Sequence, residues 1–502
     1  MTSYNPQVPS GTILGRWSVR PKLPSEITFM RRLLLIGALS LLAVSGFSRF
    51  GLTQEQARKS PNVVFIMADD LGYGELGCYG QQKIQTPHLD RLAQESLRFT
   101  QYYAGATVCA PSRSVLMTGL HTGHTRVRGN SSPDKQTLRD DDVTLAELFK
   151  QAGYVTGLTG KWGLGDSLPG GEPGLPTRQG FDVTFGYLNQ HHAHNYFPPF
   201  LFQNDKRIEL PNEGEFDARG AGKVRVRKVY AHDLIAEQSQ RFLRENKSKP
   251  FFLYCAWTLP HANNEHKEAG IPDHGIYKDK DWSEPNKMHA AMVSYLDTQV
   301  GQLLATLDEL GLRDSTLVCF TSDNGPHRES GNDPNFFNSS GLVRGTKRDL
   351  YDGGIRVPLL VRWPGRIAPG VSDHIAYHGD ILATTADLIG FKTPPGLDSV
   401  SFAPTLLGRA AEQKPHEFLY WEFYEGGGAR AVRWGKWKAV RPKWHAPIEL
   451  FDITTDPREL QNVAAEHADL VQQIDRMMQE SHRPSADWPE PASPKRGPKA
   501  AG

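Results

Sequence analysis

Apolar runs alternate with amphipathic stretches along most of the chain, and this alternation predicts strands and helices in turn. Apolar runs cover 63–68, 251–257 and most of 315–320, which is typical of parallel strands buried on both faces. Residues 288–310 carry apolar side chains at helical spacing and Gly311 follows, as expected of a helix that packs one face on a sheet. The order of strand, helix and strand predicts an α/β fold with a large, mostly parallel or mixed sheet flanked by helices.

The pattern changes near residue 414, where short alternating strands separated by glycines predict a small antiparallel sheet over 418–423, 431–433 and 437–440. A helix ending near Ser481 follows. We therefore predict a large domain over 60–413 and a smaller C-terminal subdomain over 414–482 with an antiparallel sheet and a helix. The proline- and lysine-rich segment 483–502 is predicted to be a disordered tail.

The N-terminal segment has the pattern of a secretory signal. Met30-Arg31-Arg32 precedes an apolar run over 33–44 and then two small residues. A basic head and an apolar run shorter than a membrane span predict a signal peptide over 30–50. Residues 1–29 are then a misannotated extension or a disordered leader. We expect a periplasmic or secreted protein, with an uncleaved membrane anchor as the alternative.

Charge and cysteine content narrow the possible partners. Lys and Arg total 57 against 56 Asp and Glu, so the chain has no general attraction for nucleic acid or anionic membranes. Anion recognition must therefore be local. The four cysteines show neither close pairing nor metal-ligand spacing, and Cys255 and Cys319 lie in apolar strands as expected of buried thiols.

Polar groups follow several of the predicted strands directly. Asp69 and Asp70 end the first strand, His261 follows the strand over 250–257, and Asp323 and Asn324 follow the last. Adjacent carboxylates repel each other unless a cation lies between them, although a solvated turn is the ordinary use of such a pair. Oxygen and imidazole groups favour a hard cation, Ca²⁺ first and Mg²⁺ second.

The stretch Cys109-Ala110-Pro111-Ser112-Arg113 reads as the start of a helix. Proline is tolerated in the first turn, where its missing N–H is not needed. The cysteine then lies at the positive end of the helix, where anions are favoured. These residues alone indicate either a reactive cysteine at an anion site or a structural cysteine that caps the helix.

Taken in order, the motifs resemble the signature of the type I, formylglycine-dependent sulfatases, which are arylsulfatase-like members of the alkaline phosphatase superfamily. The matching stretches are Ala-Asp-Asp-Leu-Gly-Tyr-Gly (68–74), Cys-x-Pro-Ser-Arg (109–113), Gly-Lys-Trp (160–162), Ser-Asp-Asn-Gly (322–325) and Arg-Gly-Thr-Lys (344–347). The resemblance implies an alkaline-phosphatase-like fold and a hydrolase that cleaves sulfate esters, by analogy those of sulfated carbohydrates. It also implies a maturation partner, either a formylglycine-generating or an anaerobic sulfatase-maturating enzyme.

The resemblance assigns roles residue by residue. It implies a calcium ion held by Asp69, Asp70, Asp323, Asn324 and the modified side chain of Cys109, which would be formylglycine. Arg113 would support that side chain, Lys161 and Lys347 would bind sulfate oxygens, and His261 would protonate the leaving alcohol. Hydrated formylglycine carries two hydroxyls, one to attack sulfur and one whose deprotonation expels sulfate.

One position departs from the pattern. Many sulfatases have histidine after Gly-Lys-Trp, whereas this chain has Gly163. A histidine-rich loop follows at 191–194, and we hypothesise that His192 or His194 replaces the missing imidazole or binds the substrate sugar. The alternative is a surface loop in which the histidines occur by chance.

Two other functions remain open from the sequence. A phosphatase or phosphodiesterase of the same superfamily usually keeps a Thr or Ser nucleophile and often has Asp-His-Gly where this chain has Asp323-Asn324-Gly325. A protein that binds sulfated glycans without catalysis would keep the cationic pocket and leave Cys109 unconverted.

Overall fold

The computed structural model describes residues 60–130, 134–264 and 267–492. The predicted leader and signal peptide, and residues 493–502 of the predicted tail, lie outside this part of the chain. None of the helices in the described part is long and apolar enough to cross a membrane.

The strands follow the predicted alternation over the first half of the chain and extend it. They are β1 (Asn62–Ala68), β2 (Leu97–Phe99), β3 (Tyr102–Tyr103), β4 (Val155–Lys161), β5 (Val183–Tyr187), β6 (Phe200–Gln203), β7 (Lys206–Glu209), β8 (Glu213–Phe216), β9 (Gly222–Val226), β10 (Phe251–Ala256), β11 (Ala262–Asn263), β12 (Glu268–Ala269), β13 (Thr316–Ser322), β14 (Leu359–Arg362), β15 (Gly370–Ser372), β16 (Ala376–Tyr377), β17 (Leu419–Phe423), β18 (Ala429–Trp434), β19 (Trp437–Arg441) and β20 (Glu449–Asp452).

The helices connect these strands and range from one turn to more than seven. They are α1 (Pro87–Gln94), α2 (Cys109–Thr118), α3 (Leu145–Gln151), α4 (Gln190–Ala193), α5 (Ala231–Asn246), α6 (Glu284–Glu309), α7 (Pro334–Phe337), α8 (Asp352–Ile355), α9 (Asp380–Ile389), α10 (Ala403–Leu406) and α11 (Ala468–Glu480). The predicted capping box at Thr144 is present, because its side chain accepts the Glu147 N–H and Glu147 reaches back to the Thr144 N–H.

The main sheet has ten strands in the order β15-β2-β14-β13-β1-β10-β4-β5-β6-β7. The central strands β13, β1, β10, β4 and β5 are parallel, and the outer pairs β13–β14 and β5–β6 are antiparallel. This confirms the predicted large mixed sheet flanked by helices. Because the central strands are parallel, their carboxyl ends meet at one edge, which is where ligands bind in such sheets.

The apolar run of β1 explains its central place. Its alternate residues Val64 and Ile66 pack into the core on one face of the sheet, whereas Val63 and Phe65 pack into the core on the other. All four are buried. A strand covered on both faces needs apolar side chains throughout, so the sequence pattern follows from the two layers of helices.

The C-terminal region forms a separate antiparallel sheet in the order β17-β18-β19-β20. Ile474 and Met478 of α11 pack on this sheet beside Val432 and Ala439. The fourth strand, β20, was not predicted, because its four residues follow a long loop and give too short a pattern to identify.

Residues 483–492 of the predicted tail are ordered in the structure. Trp488 is buried at 6% exposure, and its indole N–H donates to the Arg126 carbonyl over 3.0 Å. Its ring also lies against Tyr424, with centroids 5.7 Å apart. The prediction of disorder is therefore wrong for 483–492, where one large aromatic side chain anchors a segment of polar composition.

Candidate active site

The predicted site residues converge at the carboxyl edge of the central strands. Asp69 directly follows β1, Lys161 is the last residue of β4, and Asp323 directly follows β13. The register places Ala68 beside Ser322, so the carboxylates that follow each strand are neighbours. The Asp69 N–H donates to the Leu259 carbonyl over 3.1 Å, which draws the loop after β10 to the same edge.

Asp69 and Asp323 share one arginine. The Arg113 Nη2 lies 2.8 Å from Asp323 Oδ2 and 3.2 Å from Asp69 Oδ2. The Lys161 Nζ is 2.6 Å from the same Asp69 oxygen. All of these side chains are buried. Burying a carboxylate costs desolvation free energy, and the neighbouring charges of Arg113 and Lys161 offset part of that cost.

Asp70 forms the second half of the cluster. Its carboxylate accepts from Lys347 Nζ over 2.8 Å and from Asn324 Nδ2 over 2.7 Å, and its N–H donates to Asp323 Oδ1 over 3.1 Å. Its φ of 66° lies in the left-handed region, which is uncommon for a residue with a Cβ. These three hydrogen bonds hold that conformation and turn the carboxylate toward the site.

The charges shift the pKa values of the cluster in opposite directions. Burial would raise the pKa of Asp69, but Lys161 and Arg113 hold it well below its usual range. Burial and the neighbouring Asp69 charge raise the pKa of Asp323 to about 7. Such divergence between neighbouring carboxyls is typical of functional sites.

Two oxygen atoms in this cluster are left without hydrogen-bond partners in the described residues. They are Asp69 Oδ1 and Asn324 Oδ1, and both are buried. Metal-ligating atoms of Asp69, Cys109 and Asp323 also lie within 4.8 Å of one another. Unpaired buried oxygens are costly, and hard oxygen donors suit Ca²⁺ or Mg²⁺. The residues therefore fit a hard divalent cation.

Cys109 is the first residue of α2 and is buried. Asn130 secures this helix start: its Oδ1 accepts the Ala110 N–H over 3.1 Å, and its Nδ2 lies 3.4 Å from Cys109 Sγ. Burial raises the pKa of the Cys109 thiol, although Lys161 acts in the other direction. An unmodified Cys109 is therefore a protonated thiol and a poor nucleophile.

His261 lies beside Lys347 at the site. Its Nδ1 is 2.7 Å from the Ala262 carbonyl, which assigns the ring proton to Nδ1 and leaves Nε2 facing Lys347 Nζ at 3.3 Å. Burial and the Lys347 charge lower the pKa of His261 to about 3. Burial would lower the pKa of Lys347, but Asp70 and Glu329 raise it. The proton of this pair therefore resides on Lys347.

Glu329 and Asn130 are residues of the site that were not predicted. Glu329 Oε1 lies 3.3 Å from Lys347 Nζ and 2.9 Å from Arg348 Nη1. Glu329 sits in a loop five residues beyond Asn324, so its only sequence signal was its place shortly after the Ser-Asp-Asn-Gly motif. Asn130 gave no signal, because a single asparagine in a glycine-rich loop is common in turns.

These residues surround a pocket of about 300 Å³. Its lining comprises Cys109, Asn130, Gln136, Gln190, His191, His194, His261, Asn264, Lys347 and Arg348. The His194 ring stacks on His261 with centroids 4.9 Å apart, so His194 lies at the pocket. The lining is polar and cationic, which suits an anionic, hydroxylated ligand.

His192 does not reach the pocket. It is fully buried, its Nε2 lies 2.9 Å from the Phe200 carbonyl, and its ring packs edge-on against Tyr187. Burial lowers its pKa to about 3. The role predicted for His192 is therefore corrected, because His192 is a core residue. Side chains two positions apart on a helical turn point to nearly opposite sides, so His192 in α4 faces the core whereas His194, just after α4, faces the pocket.

Comparison with known proteins gives the family. The sequence model of the sulfatase family matches residues 61–391. The chain belongs to the sulfatase family. A second model, described as the C-terminal region of N-sulphoglucosamine sulphohydrolase, matches residues 345–484. The sulfatase described here is 35% identical to human arylsulfatase A over 448 residues, which covers 81% of this chain and 83% of that protein.

Other relatives extend the comparison. The sulfatase is 29% identical to N-acetylgalactosamine-6-O-sulfatase of Bacteroides thetaiotaomicron, over 84% of this chain and 93% of that protein. Its fold matches the crystal structure of Ps i-CgsB in complex with k-i-k-neocarrahexaose, with a TM-score of 0.72 and 27% identity over 86% of this chain and 94% of that one. The predicted membership of the family, with its alkaline-phosphatase-like fold, is confirmed.

Proposed function

We propose that this sulfatase hydrolyses a sulfate ester of a carbohydrate, using formylglycine made from Cys109 and a bound Ca²⁺. The observation that carries the proposal is the pairing of two unpartnered buried oxygens, on Asp69 and Asn324, with a pocket that Cys109 and Lys347 line. The oxygens suit a cation, and the pocket suits an anion beside it. Mg²⁺ is the alternative metal.

The cation would be held by Asp69, Asp70, Asp323, Asn324 and the modified residue 109. When bound, calcium supplies positive charge to a sulfate oxygen. Hydrated formylglycine supplies a hydroxyl as nucleophile in place of the protonated thiol.

Two lysines are the proposed ligands of the sulfate group. Lys161 Nζ is held by Asp69 and Lys347 Nζ by Asp70, so both ammonium groups are fixed before substrate arrives. Fixed donors in a site that excludes water stabilise developing charge strongly. We assign sulfate-oxygen binding to both lysines and support of residue 109 to Arg113.

Protonation of the leaving alcohol is assigned to the His261–Lys347 pair. The two nitrogen atoms are 3.3 Å apart, and the proton resides on Lys347 rather than on His261, since the pKa of Lys347 is raised and that of His261 is lowered. The pair can therefore deliver a proton to an alcohol oxygen that enters between them.

The sugar would lie on the polar outer lining of the pocket. His191, His194, Asn264 and Arg348 line it together with Cys109, and such groups recognise hydroxyls. Two proteins that resemble this chain support a carbohydrate substrate: one is N-acetylgalactosamine-6-O-sulfatase, and the other, Ps i-CgsB, was crystallised with k-i-k-neocarrahexaose.

The test is sulfate release from a panel of sulfated mono- and oligosaccharides and an aryl sulfate, in the presence of calcium and then of a chelator. We expect calcium-dependent release from at least one sugar. The Cys109→Ala variant is the matched control and should be inactive with the same melting temperature. Faster hydrolysis of matched phosphate esters would favour a phosphatase, and binding without turnover would favour a glycan-binding protein.

Maturation and location are proposed on the same basis. Formation of formylglycine requires a formylglycine-generating or an anaerobic sulfatase-maturating enzyme as a partner. The basic and apolar pattern over 30–50 supports export to the periplasm or beyond. Cell fractionation with and without that segment tests the proposed location.

A further inference from the structure

Gly163, where many sulfatases have histidine, lies under the side-chain amide of Gln190. A Cβ added to Gly163 would fall 2.0 Å from Gln190 Nε2, and that Nε2 donates to the Gly163 carbonyl over 3.3 Å. The Gly163 φ of 79° also favours glycine over any side chain. The side chain of Gln190, on α4, therefore occupies the space that a side chain at residue 163 would need.

The amide of Gln190 has one unused atom. Gln190 is buried at 3% exposure, and its Oε1 is buried with no hydrogen-bond partner in the part of the chain that is described. The contact with the Gly163 carbonyl fixes the orientation, because a flipped amide would set two oxygens against each other. Leaving a buried acceptor unpaired is costly, so a hydroxyl that donates to this oxygen would form a favourable hydrogen bond.

Burial groups Gln190 with residue 109 rather than with the exposed side chains of the pocket. Gln190 and Cys109 line the same pocket, and Gln190 is buried whereas its neighbour His191 is exposed. Gln190 therefore belongs to the floor of the pocket, where residue 109 lies, and His191 to the mouth, where a sugar would enter.

We propose that Gln190 Oε1 accepts a hydrogen bond from a hydroxyl of hydrated formylglycine at residue 109, in the place of the missing histidine. The inference rests on the proposed function. A neutral amide oxygen does not take up a proton near neutral pH. Gln190 therefore orients the hydroxyl and stabilises the hydrate, and it leaves deprotonation to another group.

The test is Gln190→Leu, which keeps most of the side-chain volume and removes the acceptor. In the mature protein we expect kcat to fall about tenfold, the cost of one hydrogen bond, with KM unchanged. A second readout needs no turnover: an aminooxy probe should label residue 109 faster, because loss of the hydrogen bond shifts hydrate toward free aldehyde.

Gln190→Met provides a second apolar variant should Gln190→Leu fold poorly, and melting temperatures check both. Gln299→Leu, the same change at a glutamine buried in α6, should alter neither kcat nor labelling. Unchanged labelling in both Gln190 variants, or a rise in KM alone, would overturn the inference. Failure of the proposed function is distinguishable, because the parent protein would then show a thiol at residue 109 and no turnover.

Discussion

At the scale of single residues, buried charge is balanced at the site. Asp69, Asp70 and Asp323 are all fully buried, and three cations contact them. Removing Arg113 or Lys347 leaves Asp323 or Asp70 buried without its cationic partner, which is strongly destabilising, whereas removing Lys161 leaves Asp69 with Arg113 alone. A substitution at these residues is therefore expected to change both activity and stability, so each variant needs a measurement of turnover and one of melting temperature.

Lys161→Met tests the assignment of sulfate binding. We expect kcat/KM to fall at least a hundredfold, because a fixed donor to the sulfate group is lost in a site that excludes water. The melting temperature should also fall, because Asp69 loses its contact with Lys161. Lys150→Met is the control, since Lys150 is exposed on α3 and should leave both quantities unchanged. Activity of Lys161→Met within threefold of the parent would contradict the assignment.

The site residues in motifs at strand ends, such as Asp69, Lys161 and Asp323, were predictable from the sequence. Asn130, Gln190 and Glu329 were missed, because each reaches the site from a loop or a short helix whose path no local pattern encodes. His192 was misplaced for a related reason. A run of histidines does not show which one faces a pocket until the helix turn is placed.

At the scale of elements, the register of parallel strands builds the metal site. Val63 pairs with Phe252 on one side and with Leu317 on the other, so β1, β10 and β13 end together. The apolar runs of these strands were readable from the sequence. The strands β5 to β9 were missed, because several are exposed hairpin strands with no apolar run, such as β7.

Calcium binding can be tested through Asn324. Adding Ca²⁺ should raise the melting temperature of the parent protein, because a bound ligand stabilises the folded state and satisfies the unpaired oxygens of Asp69 and Asn324. Asn324→Leu removes one of these oxygens and should reduce the calcium-induced shift by at least half. Asn335→Leu, at an exposed position of α7, should keep the full shift. An equal shift in Asn324→Leu would contradict the assigned ligand.

A buried histidine of α5 makes stability depend on pH. Both ring nitrogens of His232 lack hydrogen-bond partners in the described residues, and burial lowers its pKa to about 3. As the pH falls through about 6.5, this histidine takes up a proton in the unfolded chain but stays neutral in the folded protein. The stability of the folded protein therefore falls as the pH drops below about 6.5.

His232→Leu should flatten this dependence. Between pH 7 and pH 5 the parent should lose about 2 kcal/mol more unfolding free energy than the variant, from the linkage of one histidine. Urea unfolding at the two pH values measures the difference. His445→Leu, at an exposed position, should follow the parent. A variant as sensitive to pH as the parent would rule out His232 as a source.

At the scale of the whole molecule, the C-terminal sheet is tied to the catalytic part by a buried carboxylate. Glu422 of β17 is fully buried and lies 2.9 Å from Arg128 Nη1 and 2.9 Å from His482 Nδ1. The Tyr420 and Tyr424 hydroxyls each donate to it over 2.8 Å. This network joins the loop after α2 to the sheet and to the end of α11.

Glu422→Leu should destabilise the protein by about 3 kcal/mol, because it leaves the Arg128 charge buried without its partner. Denaturant unfolding measures the change. Glu417→Leu, at an exposed position just before β17, should cost far less. A loss below about 1 kcal/mol in Glu422→Leu would show that the two parts are held mainly by apolar packing.

The change to a second, antiparallel sheet was predictable, because short alternating strands leave a clear pattern. The buried link through Glu422 was not, since a glutamate in a strand normally faces solvent. Long-range pairs of this kind follow from the packing of the whole molecule and not from any local stretch of sequence.

The chemical state of residue 109 decides whether this protein is a formylglycine-dependent sulfatase. The direct measurement is the mass of the peptide that contains it, taken from protein produced with a formylglycine-generating enzyme and shown to release sulfate from an ester. We predict the mass of formylglycine or its hydrate in place of cysteine. An unmodified thiol throughout a preparation that turns over sulfate esters would contradict the account.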